Sequence, residues 1–87
     1  MSARSQLGEN DKEVVKNLSG NHYGVEWEIV CILNAEGKYY CRVSAIPDVG
    51  SKYHANTSFA DDVDTAISFG GACLVEAFDL LGVPHAS

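Results

Sequence analysis

Asp61, Asp62 and Asp64, together with His54, are the residues whose types first suggest chemistry, because hard cations collect carboxylate oxygens and histidine is a common metal ligand. Their spacing argues against a metal. On a helix these three carboxylates project in different directions, no D-x-[DN]-x-[DN]-G loop is present, and aspartates at a helix start ordinarily serve capping and the helix dipole. A nucleophilic site would need a cysteine or serine within reach of an oriented histidine. Cys31 and Cys41 fall on what reads as a buried face, whereas His22, His54 and His85 fall in a turn, at an edge and near the terminus. Glu26 and Glu28 share one face of a strand about 7 Å apart, a carboxylate pair in principle, but alternating glutamates are also an ordinary solvated strand face. Gly70 and Gly71 lie inside a helical pattern and not before one, so they cannot cradle a phosphate. Tyr39, Tyr40 and Tyr53 could stack on bases, but the interleaved lysines and arginines of such surfaces are missing. No catalytic residue, metal or cofactor is expected, and the chain reads as a non-enzyme.

Size and charge point the same way. A chain of 87 residues holds one modest core and no large enclosed cavity. Twelve Asp and Glu against six Lys and Arg give a formal charge of −6, which disfavours direct contact with a phosphate backbone. Apolar runs are far shorter than the roughly 20 residues needed to span a bilayer, so no membrane segment is expected. The polar opening residues lack the apolar stretch of a secretory signal, and the three cysteines, Cys31, Cys41 and Cys73, form neither a full disulfide set nor a zinc pattern. A reducing, cytoplasmic setting with buried thiols is the expectation. Residues 1–9 carry too little apolar surface to order themselves and are expected to be a disordered tail ahead of a single domain over 10–87.

The elements that must position these residues follow from periodicity. Asn10 or Asp11 as N-cap, Val14, Val15 and Leu18 on one side and Gly20 at the end predict a short N-terminal helix, with a strand over Glu13 to Leu18 as the competing reading. From Val25 the period is two. Val25, Trp27, Ile29, Cys31 and Leu33 share one strand face, and Tyr39, Cys41, Val43 and Ala45 share the next. Both sets are odd-numbered, so a continuous apolar face requires Leu33 across from Tyr39, Cys31 across from Cys41 and Ile29 across from Val43. Pairing Asn34 with Lys38 leaves Ala35, Glu36 and Gly37 as the loop, with Gly37 where a left-handed residue is needed. Pro47 ends that strand, and Lys52 to Thr57 reads as a third, edge strand. Ser58 then resembles an N-cap with Asp61 at the third helical position. The stripe Val63, Ala66, Ile67, Gly70, Leu74, Ala77, Phe78 and Leu81 forms the long helix, ended by Gly82 and Pro84. Gly70 and Gly71, each costing about 1 kcal/mol relative to alanine in a helix, imply a close approach to the sheet or a bend.

The predicted fold is α+β: a two-layer sandwich of a small antiparallel sheet of two to three strands, with its hairpin at 34–38, and a long C-terminal helix, in the order αβββα. Phe69, Cys73 and Leu80 widen the apolar arc of that helix, which suggests cover by the N-terminal helix or by a second copy in a homodimer. Val30, Ile32, Tyr40 and Ile46 make the outer sheet face more apolar than solvent requires and suggest a partner surface there. After Lys52 no Lys or Arg occurs, while Asp61, Asp62, Asp64, Glu76 and Asp79 remain. Such a field steers a basic partner and repels nucleic acid. The expected function is therefore a non-catalytic protein-protein interaction module, an inhibitor or modulator of a basic nucleic-acid-handling protein. Asp61, Asp62, Asp64, Glu76, Asp79, Glu26, Glu28 and Tyr40 are its candidate partner-binding residues.

The run from Gly37 to Asp48, GKYYCRVSAIPD, followed by a turn and a helix, resembles the strand, "LPG" turn and helix of HicB-type antitoxin domains over about half the chain. Asp48 stands where that family has glycine, and Ser58 to Ala66 only loosely echo its helix entry. That resemblance implies neutralisation of a small RNase toxin. The order helix, three strands, helix is also similar to the double-stranded RNA-binding domain, but aspartates replace the lysine cluster which that family places at the start of its last helix. In size and charge the chain resembles phage anti-defence proteins, anti-CRISPR proteins among them, which occupy nucleic-acid channels by mimicking phosphates. Self-assembly as a structural protein is the remaining alternative.

Overall fold

The structure, a computed structural model, describes residues 10–83. They form β1 (Asp11–His22), β2 (Val25–Asn34), β3 (Tyr39–Pro47), β4 (Tyr53–Asn56) and α1 (Val63–Leu81). The strands make one antiparallel sheet in the order β1-β2-β3-β4, and α1 packs across one face. The α+β class and the sheet-and-helix layers are as expected, with four strands in place of two to three. The tail expected over residues 1–9 and His85 lie outside the described residues.

The β2–β3 hairpin has the predicted register, with Leu33 opposite Tyr39, Cys31 opposite Cys41 and Ile29 opposite Val43. Asn34 shapes its loop: the side-chain Oδ1 accepts from the amides of Glu36 at 2.9 Å and Lys38 at 3.0 Å, while Gly37 takes a φ of 83°. Inward residues of both strands, with Ala66, Gly70, Leu74, Ala77 and Phe78 of α1, make the main core. The helix settles closely because Gly70 has no side chain. A Cβ there would lie 2.9 Å from Ile29 Cγ2 and 3.3 Å from Cys41 Cβ. Gly71 faces open space, so the close approach accounts for Gly70 alone.

The expected N-terminal helix is a strand, as the competing reading had it, and it is longer than Glu13 to Leu18. Val14 and Leu18, which share a side on a helix, pack on opposite faces of the sheet: Val14 joins Val30, Ile32 and Tyr40 on the outer face, and Leu18 joins the main core. A register shift between Val14 and Lys16 inserts one residue and switches the alternation. That bulge disguised a strand as a helical pattern. Gly20 is no helix stop; a Cβ there would fall 2.8 Å from the indole of Trp27, its cross-strand partner. Tyr23 and Gly24, with φ of 52° and 80°, close a two-residue hairpin loop into β2. With β1 extended, the element order departs from that of the double-stranded RNA-binding domain.

The helix also starts later than predicted. Ala60 and Tyr39 exchange two backbone hydrogen bonds, of 2.9 and 2.7 Å, which hold the chain extended beside β3 beyond Ser58. Asp62, not Ser58, is the N-cap, and its Oδ1 accepts from the Thr65 amide at 2.7 Å. At the other end Gly82, with φ of 73°, donates to Asp79 O, and Val83 donates to Phe78 O, which closes the last turn.

Candidate functional site on the outer face of the helix

The predicted acidic residues do not form one array. Asp61 precedes the helix and is ion-paired with Lys38. Asp62 is committed to the cap, and the hydrogen bonds from Thr65 hold its carboxyl below the usual aspartate range. Asp64, in the first turn, and Glu76 and Asp79 further on are exposed along the outer side of α1. Among them stand apolar residues that the core leaves out: Phe69 is 39%, Val75 49% and Leu80 70% exposed. The last turn contains Asp79 and no basic residue, so nothing on the helix offsets the negative end of its dipole. The outer side of α1 is thus anionic and apolar together. Charge and the pair Phe69 and Leu80 were legible in the sequence; Val75 was not, because it sits just outside the apolar stripe.

Glu26 and Glu28 lie on the opposite face of the sheet, away from α1. Glu26 is exposed, while Glu28 is half-buried and accepts from Asn17 Nδ2 at 3.0 Å. They border two adjoining concavities of about 540 and 590 Å³ that share Glu28, Ser44 and Ile46. Neither was foreseen, since Ser19, which lines one of them, falls in the segment read as a helix, and Asn21 lies just past its expected end.

Tyr40 is not available to a partner. It is 7% exposed, and its hydroxyl donates to the Asp11 carboxylate at 2.8 Å, while Arg42 pairs with the same carboxylate at 3.1 Å. Burial first, then the Asp11 hydrogen bond, raises its phenol pKa. Val30 and Ile32 are likewise buried, so of the four apolar residues expected on the outer face only Ile46 is exposed. Side-chain contact with Val14, and an edge-to-face pairing of the Tyr40 and Phe59 rings with centroids 5.4 Å apart, make this part of the face a second small core.

The groups considered for catalysis are separated. His54 pairs with Ser44 on the outer sheet face, across the sheet from α1 and its acids. His22 stacks on Phe78 at 4.9 Å. Among the described residues no group of three His, Cys, Asp or Glu is placed to hold a metal. Cys31 and Cys41 are fully buried; the Cys41 thiol donates to Ala66 O at 3.1 Å, and burial together with Cys31 pushes it up to about 12. That is the reverse of what a nucleophilic thiol requires. Among the described residues no helix is long and apolar enough to cross a membrane. β4 intervenes between the Pro47–Asp48 turn and α1, so the strand-turn-helix succession likened to HicB-type domains is interrupted. No protein-family model matches the chain, and no curated protein and no solved structure matches it either.

Proposed function

We propose that the chain is a non-catalytic binding module whose outer helix face engages a basic protein, and that it inhibits or modulates a nucleic-acid-handling partner by covering that partner's cationic surface. The observation that carries this reading is the composition of α1: Asp64, Glu76 and Asp79 are exposed beside Phe69, Val75 and Leu80, on a helix with no lysine or arginine. Carboxylates alone would give a steering field that salt screens within about 8–10 Å. The interspersed apolar side chains supply the water-excluding contact that turns encounter into a complex. Because Asp61 is paired internally and Asp62 is a cap, the contact is narrower than a continuous phosphate-like row and centres on the middle and end of the helix. The antitoxin reading would require the same kind of basic partner, a small toxin.

The test is affinity capture from the native host at low and high salt, with the unaltered chain and with a variant carrying Asp64→Asn, Glu76→Gln and Asp79→Asn. The proposal expects nucleic-acid-binding proteins of high isoelectric point that elute with salt and are lost with the variant. Capture that ignores both salt and the substitutions would refute it.

A further inference from the structure

The sheet face turned away from α1 is not a plain solvated surface. Two concavities adjoin across it, one bordered by Ser19, Asn21 and Glu26, the other by Arg42, His54 and Asn56, and they meet at Glu28, Ser44 and Ile46. Together they make a trough reaching from β1 to β4. We propose that this trough seats an extended, arginine-bearing segment of a protein partner, with Glu28 as the anchor of one guanidinium. The proposal rests on the partner being basic, as above, but places a second contact on a different face.

The chemistry of the trough selects that occupant. Glu28 is half-buried at its centre, with Oε2 fixed by Asn17 Nδ2 at 3.0 Å, so the carboxylate is oriented before anything binds. A guanidinium presents its N–H groups in a rigid fork that matches two carboxylate oxygens, whereas an ammonium does not. Ile46, 37% exposed, offers apolar surface to the aliphatic stem of such a side chain. Ser44, Ser19, Asn21 and Asn56 provide neutral hydrogen-bonding groups on either side.

Spacing and charge narrow it further. Glu26 stands two residues before Glu28 on the same strand face, about 7 Å away, the repeat of alternate residues in an extended chain. An extended segment with cations at alternate positions would meet both. Among the described residues Arg42 is the only lysine or arginine lining the trough, and it is ion-paired with Asp11. Nucleic acid would face Glu26 and Glu28 with like charge, and a second copy of the chain would set these glutamates against their equivalents.

The experiment uses the ¹⁵N-labelled full chain and a short peptide alternating arginine with valine, titrated at low salt. A second peptide has citrulline for arginine, which keeps the shape and removes the charge. Amide shifts at Glu28, Ser44, Ile46 and His54 with the arginine peptide, none with the citrulline peptide, and at least about tenfold weaker binding by a folded Glu28→Gln chain are expected. Ser44→Arg, which fills the trough with a fixed cation, should abolish the same shifts. The inference is overturned if no shifts occur, if they centre on Asp64, Glu76 and Asp79, if Glu28→Gln binds as well as the unaltered chain, or if the same residues shift with protein concentration alone. Loss of binding to the basic partner on neutralising the helix acids, with peptide binding in the trough intact, would support the helix reading separately; partner binding unchanged by that neutralisation, with peptide binding in the trough intact, would refute that reading and leave this one standing.

Discussion

Replacing Gly70 and Gly71 by alanine, one at a time, separates helix propensity from packing. Both positions are interior to α1, so each substitution brings the same gain of about 1 kcal/mol in helix stability. At Gly71 nothing lies within 4 Å of the new methyl, and the gain should appear almost whole. At Gly70 the methyl would sit 2.9 Å from Ile29 Cγ2, 3.3 Å from Cys41 Cβ and 3.4 Å from Cys41 Sγ. Ile29 is β-branched and buried, and Cys41 is held by the Ala66 carbonyl, so neither can swing aside. Forcing a methyl into such a core costs about 1–3 kcal/mol, which cancels or exceeds the propensity gain. The difference between the two variants, in which propensity drops out, should therefore be about 1–3 kcal/mol. In a chain of this size that is a gap in Tm of at least about 4 °C. Thermal and urea unfolding followed by circular dichroism measures it. Equal stability of Gly70→Ala and Gly71→Ala would refute the close approach of the helix to the sheet.

Three other outcomes follow from the same geometry. Under native conditions iodoacetamide should label the half-buried Cys73 first, while Cys31 and Cys41 react only at the rate of unfolding, as peptide mass spectrometry would show. Asp62 has a folded-state pKa below its unfolded value, so its stabilising effect is present above the ordinary aspartate range and is lost as pH falls through the lowered value; Asp62→Asn, which can still cap, should flatten that part of a Tm-against-pH curve. Asp11→Ala would leave the buried Tyr40 hydroxyl and Arg42 without their shared acceptor and should destabilise by about 2–3 kcal/mol in urea unfolding, against about 1 kcal/mol for Tyr40→Phe.

Where pattern and geometry agree, the sequence was readable. The β2–β3 register follows from two odd-numbered apolar sets and one loop glycine, and the buried face of α1 follows from its helical stripe, because each is a regular period against a single core. β1 was misread because its bulge breaks the period: Val14 and Leu18 serve different faces. The start of α1 was misplaced because the Tyr39–Ala60 bridge, a contact between residues far apart in sequence, overrides the local capping signal at Ser58. The same limit applies to the candidate site. Charge along α1 was visible, but the internal commitment of Asp61 to Lys38 and of Tyr40 to Asp11 depends on which strands are neighbours. The trough on the outer sheet face required β1 in its true conformation.

The central claim, that the outer side of α1 engages a basic partner through charge and apolar contact together, is tested most directly by the salt dependence of affinity for the captured partner. Kd should rise with ionic strength, more shallowly for the chain carrying Asp64→Asn, Glu76→Gln and Asp79→Asn, while Leu80→Ser should weaken binding without changing the slope. Superimposable salt curves for the unaltered and neutralised chains would contradict it.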